Sequence, residues 1–274
     1  MTRQLNKDTQ VCMSLAARPS NYGTRFHNYL YDALDLDYLY KAFTTQDIKG
    51  AITGVRALGI RGCAISMPFK EAVIPLVDEL DESARLINSV NTIVNSDGYL
   101  KAYNTDYLAI AQLLRQHQVP NSLTFALKGS GGMAKAVACA LQQAGFTQGH
   151  IISRNADTGQ ALADLYGYRY QADMRGVQAG LLINATPVGM QGGAEADALA
   201  FSQEEIAGAQ VIFEVVALPA QTPLLKKAQA QGKAVVTGAE VFAIQAVEQF
   251  VLYTGVRPSP ELFAEAAAYA RQGA

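Results

Sequence analysis

Apolar residues recur along this chain in short runs of four or five, separated by longer stretches with helical spacing, and the two textures alternate almost to the end. An apolar run begins at Val11. Thr44-Thr45-Gln46-Asp47 then introduces an amphipathic helix carrying Ile48, Ile52, Val55 and Leu58, which Gly59 ends. Cys63-Ala64-Ile65-Ser66 reads as a strand running into Pro68. Proline is tolerated in the first turn of a helix, so Lys70 is expected at a strand-to-helix junction, where side chains can face a cleft. The runs Ser89 to Val94 and Tyr99 to Tyr103 flank Asn95-Ser96-Asp97-Gly98 and predict an antiparallel hairpin ending at Asn104 and Asp106.

After a helix holding Leu108, Ile110, Leu113 and Leu114, the strand Leu123 to Leu127 leads into Gly129-Ser130-Gly131-Gly132-Met133-Ala134 and an alanine-rich helix. Further strands are expected at His150 to Ile152, Leu181 to Asn184, Val211 to Phe213 and Ala234 to Val236. Strands alternating with helices over roughly 120 residues argue for a parallel doubly wound sheet of Rossmann type. After Gly238 the pattern is helical through Gln245 and Phe250, and a last helix follows Pro258-Ser259-Pro260. With no strand left to serve, these helices are expected to return to the first block. The predicted organisation is α/β. Residues 1–106 and 240–274 form a discontinuous substrate-binding domain, and residues 107–239 form the doubly wound domain.

Composition narrows the partners. Of 274 residues, half are hydrophobic and 17% charged, with a formal net charge of -2, which favours a packed protein over a disordered one and offers no surface for nucleic acid. Cys12, Cys63 and Cys139 are widely spaced in apolar runs, as befits reduced thiols in the cytoplasm. His27, His117 and His150 stand apart from other ligand-type residues, so no metal is expected. The segment Met1 to Asn6 lacks the apolar core of a signal peptide, and no run is long enough to suggest a membrane span. A small-molecule ligand and a monomer or homodimer are the expectation.

Gly129, Gly131 and Ala134 fit G-x-G-x-x-A between a strand and a helix. Gly129 permits the tight turn, Gly131 lets backbone approach a pyrophosphate, and Ala134 allows close helix packing, while the helix start offers free N–H groups. The same pattern also describes a tight turn that binds nothing. About 20 residues on, an NAD site usually carries an acidic residue for the ribose hydroxyl; Ser153-Arg154-Asn155 stands there instead, and an arginine suits a 2′-phosphate. NADP is therefore favoured over NAD, the alternative being a solvated loop charge. Lys70 and Asp106 are far apart in sequence, and either alone reads as a surface charge. Brought together, they make a lysine able to exchange a proton with a carbonyl oxygen while hydride moves at its carbon.

Ser66-x-Pro68-x-Lys70, Asn88 to Thr92, Asn104-Thr105-Asp106, Gly129 to Gly132, Asn184-Ala185-Thr186-Pro187-Val188-Gly189-Met190, Thr222-Pro223-Leu224-Leu225, and Gly238 with Gln245 occur in this order over nearly the whole chain. In this the chain resembles the shikimate dehydrogenase family. The resemblance implies an N-terminal substrate domain, an NADP domain and a cleft between them, in an enzyme of the chorismate pathway to aromatic amino acids. It implies Lys70 and Asp106 as the catalytic pair and Ser66, Asn91 and Gln245 as hydrogen-bonding partners of the substrate hydroxyls. Gly129, Ser130, Gly131, Gly132, Met133, Ser153, Arg154, Asn155, Thr186 and Gly238 would meet the cofactor, Gly238 at its nicotinamide end. Asn91 also reads as a hairpin residue satisfying backbone, and Gln245 as a helix side chain facing water.

The departures are local. Where the family carries a Ser-x-Ser pair for the substrate carboxylate, counting back from His27-Asn28 gives Asn21 and Gly23. Ala64 and Ala217 replace a family Asn and Tyr, while Ser153 and Thr158 replace an Asn and a basic residue of the cofactor loop. The chain thus resembles a divergent branch, in which the machinery for hydride and proton transfer is better preserved than carboxylate recognition. One lost hydrogen bond to a charged group costs about 1.5 to 3 kcal/mol.

Overall fold

The structure, a computed structural model, describes residues 4–17 and 19–272; Met1, Thr2 and Arg3 of the N-terminal segment lie outside the described residues. The chain falls into two compact units, Met1–Thr105 with Gln245–Ala274, and Asp106–Ile244. The first holds β1 (Gln10–Leu15), α1 (Tyr22–Ala33), β2 (Tyr38–Phe43), α2 (Ile48–Ala57), β3 (Gly62–Ile65), β4 (Glu79–Leu80), α3 (Glu82–Arg85), β5 (Thr92–Ser96) and β6 (Tyr99–Tyr103). Its six-stranded sheet runs β2-β1-β3-β5-β6-β4. β1 pairs in parallel with β2 and β3, whereas β5 runs antiparallel to both β3 and β6, with the hairpin at Asn95 to Gly98 in place. β3 is buried along its whole length, and Leu15, Ile52, Val55, Ile65, Val90 and Ile93 close the core around it.

α4 (Thr105–Gln116) leads into the second unit, which alternates β7 (Phe125–Lys128), α5 (Gly132–Gln143), β8 (Gly149–Ile152), α6 (Ala156–Tyr166), β9 (Arg169–Gln171), β10 (Leu181–Asn184), α7 (Gln203–Gly208), β11 (Val211–Glu214), α8 (Pro223–Ala230) and β12 (Ala234–Val236). The strands form one parallel sheet in the order β12-β11-β10-β7-β8-β9. Strand order reverses between β7 and β10, the arrangement of a doubly wound dinucleotide fold, in which ligands lie beyond the carboxyl ends of the strands at the reversal. Helix starts follow the sequence: Thr222 accepts from Leu225 N, and Ser202 and Glu205 form a reciprocal capping box on α7.

The chain then returns to the first unit along α9 (Gly238–Thr254) and α10 (Pro260–Arg271). α10 packs on α1, where the Arg25 guanidinium donates to Tyr269 O and lies 4.0 Å above the Tyr269 ring. From α9, the fully buried Tyr253 ring covers Gly62, and Arg61 Nε donates to Tyr253 O. No described helix is long and apolar enough to cross a membrane.

Two local expectations change. The segment after Pro68 is a series of turns ending in a short 3-10 helix, Ile74–Leu76, rather than an α-helix. Val73 N reaches Phe69 O in one α-type bond, but Pro75 has no N–H and the bonds that follow span three residues. β2, β4 and β9 were not foreseen; β4 and β9 have only two and three residues, and all three lie at sheet edges, where the apolar pattern is weakest.

A Cβ on Gly62 would lie 2.2 Å from the Tyr253 ring. Gly62→Ala is therefore expected to destabilise the first unit by roughly 1 to 3 kcal/mol, through overpacking, as a lowered denaturant midpoint in equilibrium unfolding.

Candidate active site

On the first unit, one fully buried side chain organises the residues singled out for substrate. Asn91 Oδ1 accepts from Thr105 N at 2.8 Å and Thr92 Oγ1 at 2.8 Å, and its Nδ2 donates to Thr105 Oγ1 at 3.0 Å. Its backbone N donates to Tyr103 O, and its carbonyl accepts from Ile65 N at 2.7 Å. Val90 N, one residue earlier, donates to Lys70 O at 2.8 Å. Two successive residues just before β5 thus anchor the backbones of Lys70, of the residue before Ser66 and of the residue before Asp106. Lys70 is half-buried, Ser66 exposed, and Asp106, the first residue of the second unit, 2% exposed.

Helix α9 reaches the same place. Gln249 is buried, and its Nε2 donates to Asn91 O at 3.3 Å and Thr92 Oγ1 at 3.0 Å. Gln245, one turn earlier on the same face, is half-buried. Sequence reasoning singled out Gln245 and overlooked Gln249, although the spacing of four residues was a usable signal. Asn21 stands exposed before α1 and makes no side-chain cap bond to that helix. A Cβ on Gly23 would meet the Tyr40 ring and hydroxyl at 3.4 Å, so a small side chain fits there only in contact with Tyr40.

On the second unit, β7 ends in the glycine turn. Gly129 has φ +124°, and a Cβ on it would lie 2.7 Å from Ala185 O, so glycine is required both by conformation and by the approach of the next strand's exit. Nothing lies within 4 Å of the Cβ direction at Gly131, which precedes α5. The first-turn N–H groups of Gly132 and Met133 have no intrahelical acceptor. An open turn at a helix start, facing the sheet reversal, fits the pyrophosphate of a dinucleotide.

Beside this turn, Ser130 Oγ lies 2.8 Å from Ser153 Oγ and 2.7 Å from Thr158 Oγ1, and Asn155 caps α6 through Thr158 N. Arg154 is 86% exposed, with Glu195 Oε2 3.8 Å away, a loose pair at the surface. The trio of hydroxyls and the facing carboxylate were not foreseen; Glu195 is remote in sequence, and nothing local marks it.

The third feature is Glu214, at the end of β11 and 0% exposed. It accepts from Asn184 Nδ2 at 2.9 Å, Val216 N at 3.0 Å and Thr222 Oγ1 at 2.9 Å. Asn184 completes its own set with Thr186 N, Thr186 Oγ1 and Val188 O, which fixes the turn carrying Thr186. Burial pushes the Glu214 carboxyl up to about 7, against hydrogen bonds that favour the anion. Gly238 lies on the same backbone, for a Cβ there would fall 2.2 Å from Val216 O. A carboxylate closing the apolar strand Val211-Ile212-Phe213 was visible in the sequence but passed unremarked.

Comparison with known proteins agrees with this geometry. The family model described as the shikimate dehydrogenase substrate binding domain matches residues 22–93. A shikimate dehydrogenase-like protein of Haemophilus influenzae is 57% identical over 267 residues, covering 97% of this chain and 98% of the relative. Shikimate 5-dehydrogenase from Thermus thermophilus, solved in complex with NADP(H) and shikimate, superposes with a TM-score of 0.85 at 29% identity, over 95% of this chain and 99% of that one. Quinate dehydrogenase from Corynebacterium glutamicum in complex with NAD gives 0.86 at 26% identity, over 96% and 99%. With its two sheets, its glycine turn at the strand reversal and relatives that match it from end to end, the chain belongs to the shikimate dehydrogenase family.

Proposed function

We propose that this protein is an NADP-dependent oxidoreductase of the cytoplasm that interconverts shikimate and 3-dehydroshikimate, or a close hydroxy-ring carboxylate. The observation that carries this reading is the anchoring of Lys70 by Val90 and of Thr105, next to Asp106, by Asn91. It fixes the backbones from which a lysine and a carboxylate would act on one hydroxyl. When bound, the nicotinamide supplies the hydride acceptor or donor. Lys70 Nζ would take the hydroxyl proton as the carbinol becomes a carbonyl and return it in the reverse direction, while Asp106 would hold the ammonium in place. Ser66, Asn91 and Gln245 would orient the ring. Asn91 would do so chiefly by fixing its surroundings, because its side chain is already engaged with Thr105 and Thr92. The Gly129 turn, with Gly131, Gly132 and Met133, would hold the pyrophosphate, and Arg154 with the hydroxyls of Ser130, Ser153 and Thr158 would face the adenosine phosphate.

A second reading rests on Glu195. A carboxylate 3.8 Å from Arg154 opposes a 2′-phosphate and lowers the preference for NADP. Use of either cofactor follows if that charge decides, and the corresponding alternative is a quinate/shikimate dehydrogenase.

Lys70→Ala is expected to lower kcat by roughly 10² to 10⁴ with little change in cofactor binding, measured by steady-state kinetics; an unchanged kcat removes Lys70 from proton transfer. Arg154→Ala is expected to raise KM for NADP(H) about tenfold or more while leaving NAD(H) nearly unaffected. Equal effects on the two cofactors would refute a phosphate contact.

A further inference from the structure

We propose that Glu214 is a positioning residue for the nicotinamide half of the cofactor, acting as an ionised carboxylate that ties together the strand ends and helix starts on which that half rests. The inference depends on the reading of the second unit as a nicotinamide-cofactor domain. In a doubly wound sheet each half binds one mononucleotide, and the glycine turn after β7, with β8 beside it, serves the adenosine half. The other half is β10, β11 and β12, and Glu214 stands at the end of its middle strand.

Three separate pieces of that half are held to this one side chain, and a fourth lies against one of them. Asn184 ties it to the Thr186 and Val188 turn, Val216 N to the exit of β11, Thr222 to the first turn of α8, and the backbone of Val216 supports Gly238 at the start of α9. The three groups bonded directly to the carboxylate all donate: an amide, a backbone N–H and a hydroxyl. Asn184 cannot adapt, because both its hydrogens and both its acceptor directions are in use. Protonation of Oε2 would leave the bonds to Oε1 in place but reverse the one with Thr222, whose hydroxyl would have to accept and turn its hydrogen elsewhere, and every bond would lose the assistance of the charge.

Burial puts this protonation near neutral pH, at about 7. The groups that face Glu214 are neutral: Asn184 from β10, Val215 and Val216 from the exit of β11, and Thr222 from the N-cap of α8. On the elements around it, Lys128 at the end of β7 donates to Ala200 O, and Glu240 on α9 is bonded to Thr237 and to His117 of α4.

The test measures binding, without turnover. Calorimetric titration gives the affinity for NADP⁺ and for 2′-phospho-ADP-ribose, which lacks nicotinamide, on wild type and Glu214→Gln from pH 5.5 to 8.5. Both ligands carry the 2′-phosphate, so the ratio of their affinities cancels its titration. The expected wild-type ratio falls by about tenfold as pH drops through 7, as for the loss of one charged hydrogen bond. In E214Q the ratio is low and flat with pH, and the fragment binds within about twofold of wild type at pH 8.5, as one added or lost surface contact allows. A flat wild-type ratio overturns the proposal without the variant, should E214Q fold poorly. Equal weakening of both ligands in E214Q overturns it in favour of a general scaffold role. A ratio that still falls in E214Q also overturns it. Failure of wild type to bind NADP⁺ or NAD⁺ refutes the cofactor reading itself, whereas binding without these differences refutes only the role of Glu214.

Discussion

The first unit depends on an amide that water never reaches. Asn91 sits at the entry to β5 and uses its side chain and both backbone groups on four other segments: the end of β3, the end of β6, the start of α4 and, through Gln249, helix α9. A buried amide left unpaired costs about 1 to 3 kcal/mol per group, so each bond is enforced by the cost of losing it. The constraint is local, yet its effect spreads along the chain, because Ser66, Asp106 and Gln245 each follow or lie one turn from a residue held here. Lys70 is held in the same way by the neighbouring Val90.

The second unit uses the same device with a charge. Parallel strands buried on both faces end abruptly, and the turns after them expose backbone groups that need partners. Glu214 and Asn184, paired across β11 and β10, supply those partners in one network. The glycine turn works differently. There side chains are excluded, and the close pass of Ala185 O beside Gly129 leaves a helix start open to a ligand.

Much of this is legible in the sequence. The strand, glycine turn and helix at Leu123 to Ala134 carried the doubly wound sheet, because that turn demands glycine for steric reasons that act locally. The hairpin around Asn95 to Gly98 was equally plain, since Asn95 Oδ1 accepts from Gly98 N within the turn itself. Less legible were features set by distant partners. The helix expected after Pro68 gives way to turns and a short 3-10 helix because Pro75 interrupts the ladder, and edge strands such as β9 lack an apolar pattern. Gln249, Glu195 and the Ser130 hydroxyl owe their roles to neighbours many residues away. The altered segment at Asn21 and Gly23 was visible as a departure, and Asn21 makes no side-chain cap bond to α1.

If Lys70 and Asp106 act as proposed, this scaffold oxidises a ring carbinol, and Asn21 and Gly23 in place of a Ser-x-Ser pair weaken its hold on the carboxylate. The most direct measurement is an initial-rate screen of shikimate, quinate and related hydroxy-ring acids, each with NADP and with NAD. The account predicts reduction of NADP with shikimate or a close hydroxy-ring acid, at a raised KM for the acid. Reduction of neither cofactor by any of these acids, with a folded protein, would contradict it.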